Sequence, residues 1–204
     1  MKFNLPTKLT FLRLFLSIVI IVLLIFPFYR VGIEFKTFLY HNILVDIRYI
    51  IAGILFIFAS YTDHLDGKLA RKNNQVTDFG KFLDAIADKV LVNSVLIIFA
   101  SQGFISVFIP VVIVIRDIVV DAIRMMSASK GTVVAARTGG KIKTACLMIG
   151  ISLTFIYNLP FELLGLQVSK FFLYFGTIMA IVSGIEYYKL NKKNIFIDSK
   201  DEIL

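Results

Sequence analysis

The sequence predicts an all-α, polytopic membrane protein: six transmembrane helices behind a short N-terminal interfacial segment. Three observations predict it. Of the 204 residues, 58% are hydrophobic, and the mean hydropathy is +0.83, whereas a soluble domain is usually about 45 to 50% apolar. The apolar residues gather into six runs of the length a bilayer demands, roughly 17 to 25 residues. The basic residues fall almost wholly on one side if six helices alternate across the membrane.

Residues 1–10 form the interfacial segment, and the first run extends from Phe11 to Phe28. No small-residue cleavage site follows it, and a charged loop with Arg30, Glu34 and Lys36 comes next, so it is expected to stay in the mature chain. The second run covers Ile43 to Thr62, with Asp46 and Arg48 as flanks at the outer interface. The third, Leu83 to Ser101, and the fourth, Phe104 to Ile123, are interrupted by Asp84, Asp88 and Lys89 and by Arg116, Asp117 and Asp121. The fifth runs from Thr144 to Leu159 and the sixth from Val168 to Tyr188, before a polar tail over 189–204. In lipid the backbone must satisfy its own hydrogen bonds, and the runs show no dyad alternation of the barrel kind, so each is read as a helix. The chain is read as one domain, 1–204.

The net charge of +8 raises the question of nucleic acid, and the placement of the charges answers it. Lys2, Lys8 and Arg13, then Lys68 to Lys81, then Arg124 to Lys143, then Lys189 to Lys200 all lie on one side of the membrane. The opposite loops hold little beyond Arg30, Lys36 and Lys170. This is the positive-inside pattern, which puts both termini in the cytoplasm and the basic residues beside anionic membrane lipids; nucleic acid is excluded as a partner. Cys146, alone, forms no internal disulfide and no CxxC pair. His41 and His64 are read as uncommitted polar residues.

The residues that carry chemistry lie between Asp63 and Asp88: Asp63-x2-Asp66-Gly67-x2-Ala70-Arg71-x8-Gly80-x3-Asp84-x3-Asp88. At the helical pitch, Asp63, Asp66, Gly67, Ala70 and Arg71 share roughly 140° of one helix face. Gly80, Asp84 and Asp88 stand at i, i+4 and i+8 on another, and 72–77 joins the two helices. Four carboxylates at close range raise one another's pKa unless a cation joins them. Hard divalent ions fit that need: Mg²⁺ takes one or two carboxylates plus phosphate oxygens, and two such ions can clamp a diphosphate. Ion pairs with Lys68, Arg71, Lys81 and Lys89 would neutralise the acids equally well, but leave the small residues on the acidic face unexplained.

The pattern D-x2-D-G-x2-A-R-x8-G-x3-D-x3-D resembles the signature of the CDP-alcohol phosphotransferase family, with every fixed position present. Asn4 to Thr10 with Arg13, Asp88-Lys89, Arg116 with Arg124, and Gly140 to Thr144 are similar to the bacterial members whose acceptor is sn-glycerol 3-phosphate. Ser183 to Tyr187 adds a further likeness. The resemblance implies transfer of a phosphatidyl group from CDP-diacylglycerol to sn-glycerol 3-phosphate, giving phosphatidylglycerophosphate and CMP. It implies two Mg²⁺ (or Mn²⁺) ions per active site, one on Asp63, Asp66 and Asp84 and one on Asp63, Asp84 and Asp88. Asp88 would be the catalytic base, and Asn4, Thr10, Gly67, Ala70, Arg71, Thr77 and Gly80 would meet CDP-diacylglycerol. A homodimer in the bacterial plasma membrane, its active site facing the cytoplasm, is likewise implied.

Arg116, Arg124, Arg137, Lys141 and Lys143 gather at the cytoplasmic ends of the fourth and fifth spans and are read as the site for the acceptor's phosphate, since a dianion needs several donors. Each is also explicable as positive-inside flanking charge. Three positions depart from the usual pattern: Asp117 stands in place of Glu, Ala85 in place of Pro, and Asp121 in place of a neutral residue. Asp121 lies three residues before Arg124, a spacing at which it could pair with the arginine and draw it from a phosphate. Two alternatives stay open: the same chemistry with phosphatidylglycerol, inositol phosphate or serine as acceptor, and a cation transporter. The transporter predicts acids spread along a path through the bilayer, whereas these cluster at one end.

Overall fold

The computed structural model describes residues 5–41, 43–72, 78–129 and 138–196, with side chains described at 7–41, 43–63, 79–80, 82–129 and 138–192. Six α-helices carry the fold: α1 (Leu5–Ile25), α2 (Ile47–Lys72), α3 (Asp78–Ser101), α4 (Phe108–Ser129), α5 (Thr138–Phe155) and α6 (Val168–Phe196). α1 packs on α2 and α3, and α6 packs on α4 and α5. The two trios join where α2 meets α5 and α3 meets α4. One apolar core runs through both, including Ile20, Phe56, Phe99, Ile113, Phe155 and Leu173, all fully buried.

Two glycines set the closeness of the crossings. A Cβ on Gly53 would stand 2.7 Å from Cβ of Phe155, and one on Gly150 would stand 2.7 Å from Cγ of Leu173. Small residues at such points let helix backbones approach without an apolar driving force between them. The helix starts are fixed by short polar side chains. Asp46 Oδ1 accepts the N–H of Arg48 at 2.9 Å at the start of α2, and Asn158 Oδ1 accepts that of Ser169 at 2.9 Å at the start of α6. Both satisfy backbone donors that the helix itself leaves orphaned.

Residues 26–28, 104–107 and 156–159, counted into the first, fourth and fifth spans, lie outside the six α-helices, whereas other helix ends extend past the apolar runs. Counting apolar residues stops at a charge, whereas the backbone ladder continues through it. Thus α3 begins at Asp78, α5 at Thr138, and α6 continues through 189–196 of the polar tail. α1 begins at Leu5, so residues 5–10 of the interfacial segment are continuous with the first span's helix. Residues 43–46, counted into the second span, instead form a strand. Thr37–Tyr40 (β1) and Ile43–Asp46 (β2) pair as an antiparallel hairpin, Thr37 opposite Asp46 and Tyr40 opposite Ile43. Their β-branched and aromatic residues suit a strand, a local signal that span counting overlooks.

Among the described residues, two helices are long and apolar enough to cross a membrane, over Thr7–Ile25 and Val168–Lys192. Large apolar side chains cover the outer faces, among them Phe15, Ile54, Phe82, Ile118 and Phe171. An exterior of this kind is at home in an apolar solvent. The two ends of the bundle differ. At one, Tyr49, Phe99, Phe104 and Tyr157 cluster, Gln102 bonds the Tyr49 hydroxyl, and the Tyr157 hydroxyl accepts the N–H of Asp46 at 3.0 Å, tying the hairpin down. The other end gathers the charges of Arg13, Asp63, Asp84, Arg116, Asp117 and Lys143.

Candidate active site

At that charged end three helices meet on one atom. Nη1 of Arg13, on α1, lies 2.6 Å from Oδ1 of Asp63 on α2 and 2.7 Å from Oδ1 of Asp84 on α3. Arg13 is 1% exposed, while the aspartate side chains are 39% and 47% exposed. A buried guanidinium without a counter-charge costs several kcal/mol, so the acids stabilise the cation as much as the cation joins the acids. Asp88, one helical turn beyond Asp84 on α3, is within electrostatic range of Asp63, Asp84, Arg13 and Lys143.

Asp88 also lines an open cavity of about 510 Å³ bordered by residues of α3, α4, α5 and α6. Arg116, Arg124, Lys141 and Lys143 line it too, so four of the five basic residues read as an anion site face one space. Arg116 donates from Nη1 to Asp117 Oδ1 at 3.0 Å and from Nη2 to Ser183 Oγ at 2.9 Å. Gly184 leaves room for its stem, since a Cβ there would lie 3.3 Å from the Arg116 Cγ. Lys143 donates to the same Asp117 oxygen at 2.9 Å. Arg124 donates to the Tyr187 hydroxyl, and Asp121 pairs with Lys89 across α3 and α4. The Asp121–Arg124 pairing that the spacing allows is therefore corrected: Lys89 faces Asp121 from the neighbouring helix, and Arg124 turns to an aromatic ring on α6.

Thr10 is buried on α1 one turn before Arg13, and Gly80 lies in the first turn of α3. Gly67, Ala70 and Arg71 belong to the last turns of α2 and Asp66 to the same stretch; their side chains lie outside the described residues, as do Asn4, Thr77 and Arg137 altogether. Counting charges by side of the membrane concealed what Arg13, Ser183 and Tyr187 do. The available signal for Arg13 was a lone cation inside an apolar helix, which is costly without a partner. For Ser183 and Tyr187 only the family likeness pointed the way.

A family model described as CDP-alcohol phosphatidyltransferase matches residues 3–182. The chain belongs to this family of membrane-embedded enzymes. It is similar to proteins named CDP-diacylglycerol–glycerol-3-phosphate 3-phosphatidyltransferase. The one from Bacillus subtilis (strain 168) is 38% identical over 193 residues, 93% of this chain and 95% of the relative. That from Haemophilus influenzae is 34% identical over 200 residues, 96% and 97% of the two chains. That from Wigglesworthia glossinidia brevipalpis is 30% identical, covering 96% and 99%.

The family uses a divalent metal. Among the described residues no group of three or more His, Cys, Asp and Glu side chains stands close enough to hold one. The donors present nevertheless fit. Carboxylate oxygens are the ligands hard cations prefer, and Asp63 and Asp84, from different helices, already converge on a single positive nitrogen.

Proposed function

We propose that this protein transfers the phosphatidyl group of CDP-diacylglycerol to sn-glycerol 3-phosphate, making phosphatidylglycerophosphate and CMP in phospholipid biosynthesis. The supporting observation is adjacency: Asp88 shares a helix face with Asp84, of the converging carboxylate pair, and a cavity with five basic side chains. Relatives named for this reaction span nearly the whole chain.

Two Mg²⁺ or Mn²⁺ ions, held by Asp63, Asp66 and Asp84 and by Asp63, Asp84 and Asp88, would neutralise the diphosphate and its departing CMP. Asp88 takes the proton of the acceptor hydroxyl as that oxygen attacks the phosphatidyl phosphorus and the pyrophosphate P–O bond breaks. A positioned base contributes about 10² to 10⁴-fold, and the remainder is orientation and charge. Asn4, Thr10, Gly67, Ala70, Arg71, Thr77 and Gly80 receive the CDP-diacylglycerol, the small residues letting it approach the helix backbones. Arg116, Arg124, Arg137, Lys141 and Lys143 hold the acceptor's phosphate. The described cavity lining carries five cations, Lys89 included, against Asp88, Asp117 and Asp121, an excess of two that matches a phosphate dianion. Serine and other acceptors without a phosphate leave that excess unmatched.

In this reading residues 1–204 form one multi-pass domain of six spans, with both termini and the cavity on the cytoplasmic side of the plasma membrane, and the protein works as a homodimer. The basic residues along one side support the orientation. The deciding experiment supplies CDP-diacylglycerol and Mg²⁺ with glycerol 3-phosphate, phosphatidylglycerol, inositol phosphate or serine and measures CMP release. Release with glycerol 3-phosphate is expected. Preference for another alcohol reassigns the acceptor, and no release with any of them removes the reading.

A further inference from the structure

We propose that Arg13 is a positioning residue of the metal site: its buried guanidinium draws Asp63 and Asp84 together and thereby sets the affinity for the divalent ion. This rests on the metal reading above. The convergence of α1, α2 and α3 on one nitrogen, at 2.6 and 2.7 Å, is the first support. Asymmetric burial is the second. The cation is 1% exposed whereas the carboxylates it joins are 39% and 47% exposed, so the acids stay accessible where the guanidinium does not. An ionised carboxylate accepts at about four sites, so a bond from Arg13 to one oxygen does not exhaust its capacity for a cation. Third, Thr10, Arg13 and Ser17 stand at i, i+3 and i+7 and are all buried, a polar stripe on the α1 that packs against α2 and α3.

Two like charges on separate helices repel, and a fixed cation between them holds their spacing before any ion arrives. Removing such an outer partner of metal ligands costs about 10- to 100-fold in metal affinity. A guanidinium that instead occupied the ion's own place would compete with it, and its removal would tighten binding. The sign of the change therefore separates the two roles.

Binding of Mn²⁺ alone to detergent-purified protein, followed by the EPR signal of the free ion, reads that sign without turnover. Arg13→Gln is expected to raise the Kd about 10- to 100-fold, with Arg13→Lys, which keeps the charge but lacks the planar fork, falling between. Unchanged or tighter binding in Arg13→Gln overturns the proposal. Should that variant not fold, Arg13→Lys decides by the same rule. Asp84→Asn separates this idea from its premise. A parent that binds no Mn²⁺ ends both, while a parent that binds it, loses it with Asp84→Asn and ignores Arg13 ends only the role given to Arg13.

Discussion

Arg124 on α4 donates from Nη2 to the Tyr187 hydroxyl on α6 at 3.0 Å and lies over the same ring, 5.3 Å from its centroid. Tyr187 is buried and Arg124 is exposed at the cavity, so the ring is the fixed partner and the arginine is the one held. Arg116 approaches that ring as well, at 5.9 Å. Tyr187→Phe keeps the ring and deletes the hydrogen bond from the charged Arg124 guanidinium, worth about 1.5 kcal/mol. The KM for glycerol 3-phosphate is expected to rise about tenfold, with kcat and the KM for CDP-diacylglycerol unchanged. Equal changes in both KM values would instead make Tyr187 a general structural support.

Asp88 lies where the aspartate face of α3 meets the cavity. Asp88→Asn preserves size and helix propensity while removing the proton acceptor, and it is expected to lower CMP release by at least 10²-fold in protein that stays monodisperse. The check is an assay at saturating concentrations of both substrates. Activity within tenfold of the parent would falsify its role as base.

The aspartate motif could be read because its spacing is a short-range property: i, i+4 and i+8 on a helix define a face whatever the rest of the chain does. The common cavity of Arg116, Arg124, Lys141 and Lys143 was foreseeable as a cluster, since all fall near one end of two successive spans. What escaped depends on helices distant in sequence. Nothing local says that Arg13 reaches Asp84, or that Asp121 chooses Lys89 over an arginine three residues away. The hairpin over 37–46 escaped for another reason, because an apolar strand and the start of an apolar span look alike in composition.

Gly150 meets Leu173 more closely than a side chain permits. A Cβ there would stand 2.7 Å from Cγ, 2.9 Å from Cδ2 and 3.1 Å from the backbone nitrogen of Leu173, itself fully buried. Gly150→Ala must push α5 from α6 or force Leu173 off its rotamer, at roughly 1 to 3 kcal/mol. The temperature of half-unfolding in detergent is expected to fall, and specific activity of the folded fraction to hold. An unchanged melting temperature contradicts this crossing.

Asp121 and Lys89 face each other with side chains 36% and 32% exposed, so the pair adds at most about 1 kcal/mol to stability. Its effect should lie in the cavity's charge. Lys89→Gln leaves Asp121 uncompensated beside the proposed anion site, and the KM for glycerol 3-phosphate is expected to rise. Adding Asp121→Asn removes the stranded charge and should return the KM toward the parent's, a non-additivity typical of contacting residues. Asp121→Asn combined with Arg124→Gln should show weaker coupling, because Asp121 pairs with Lys89 and Arg124 bonds Tyr187. The cycles thus distinguish the partner on the neighbouring helix from the one along the same helix. Strong coupling to Arg124 with none to Lys89 would restore the pairing that spacing alone suggests.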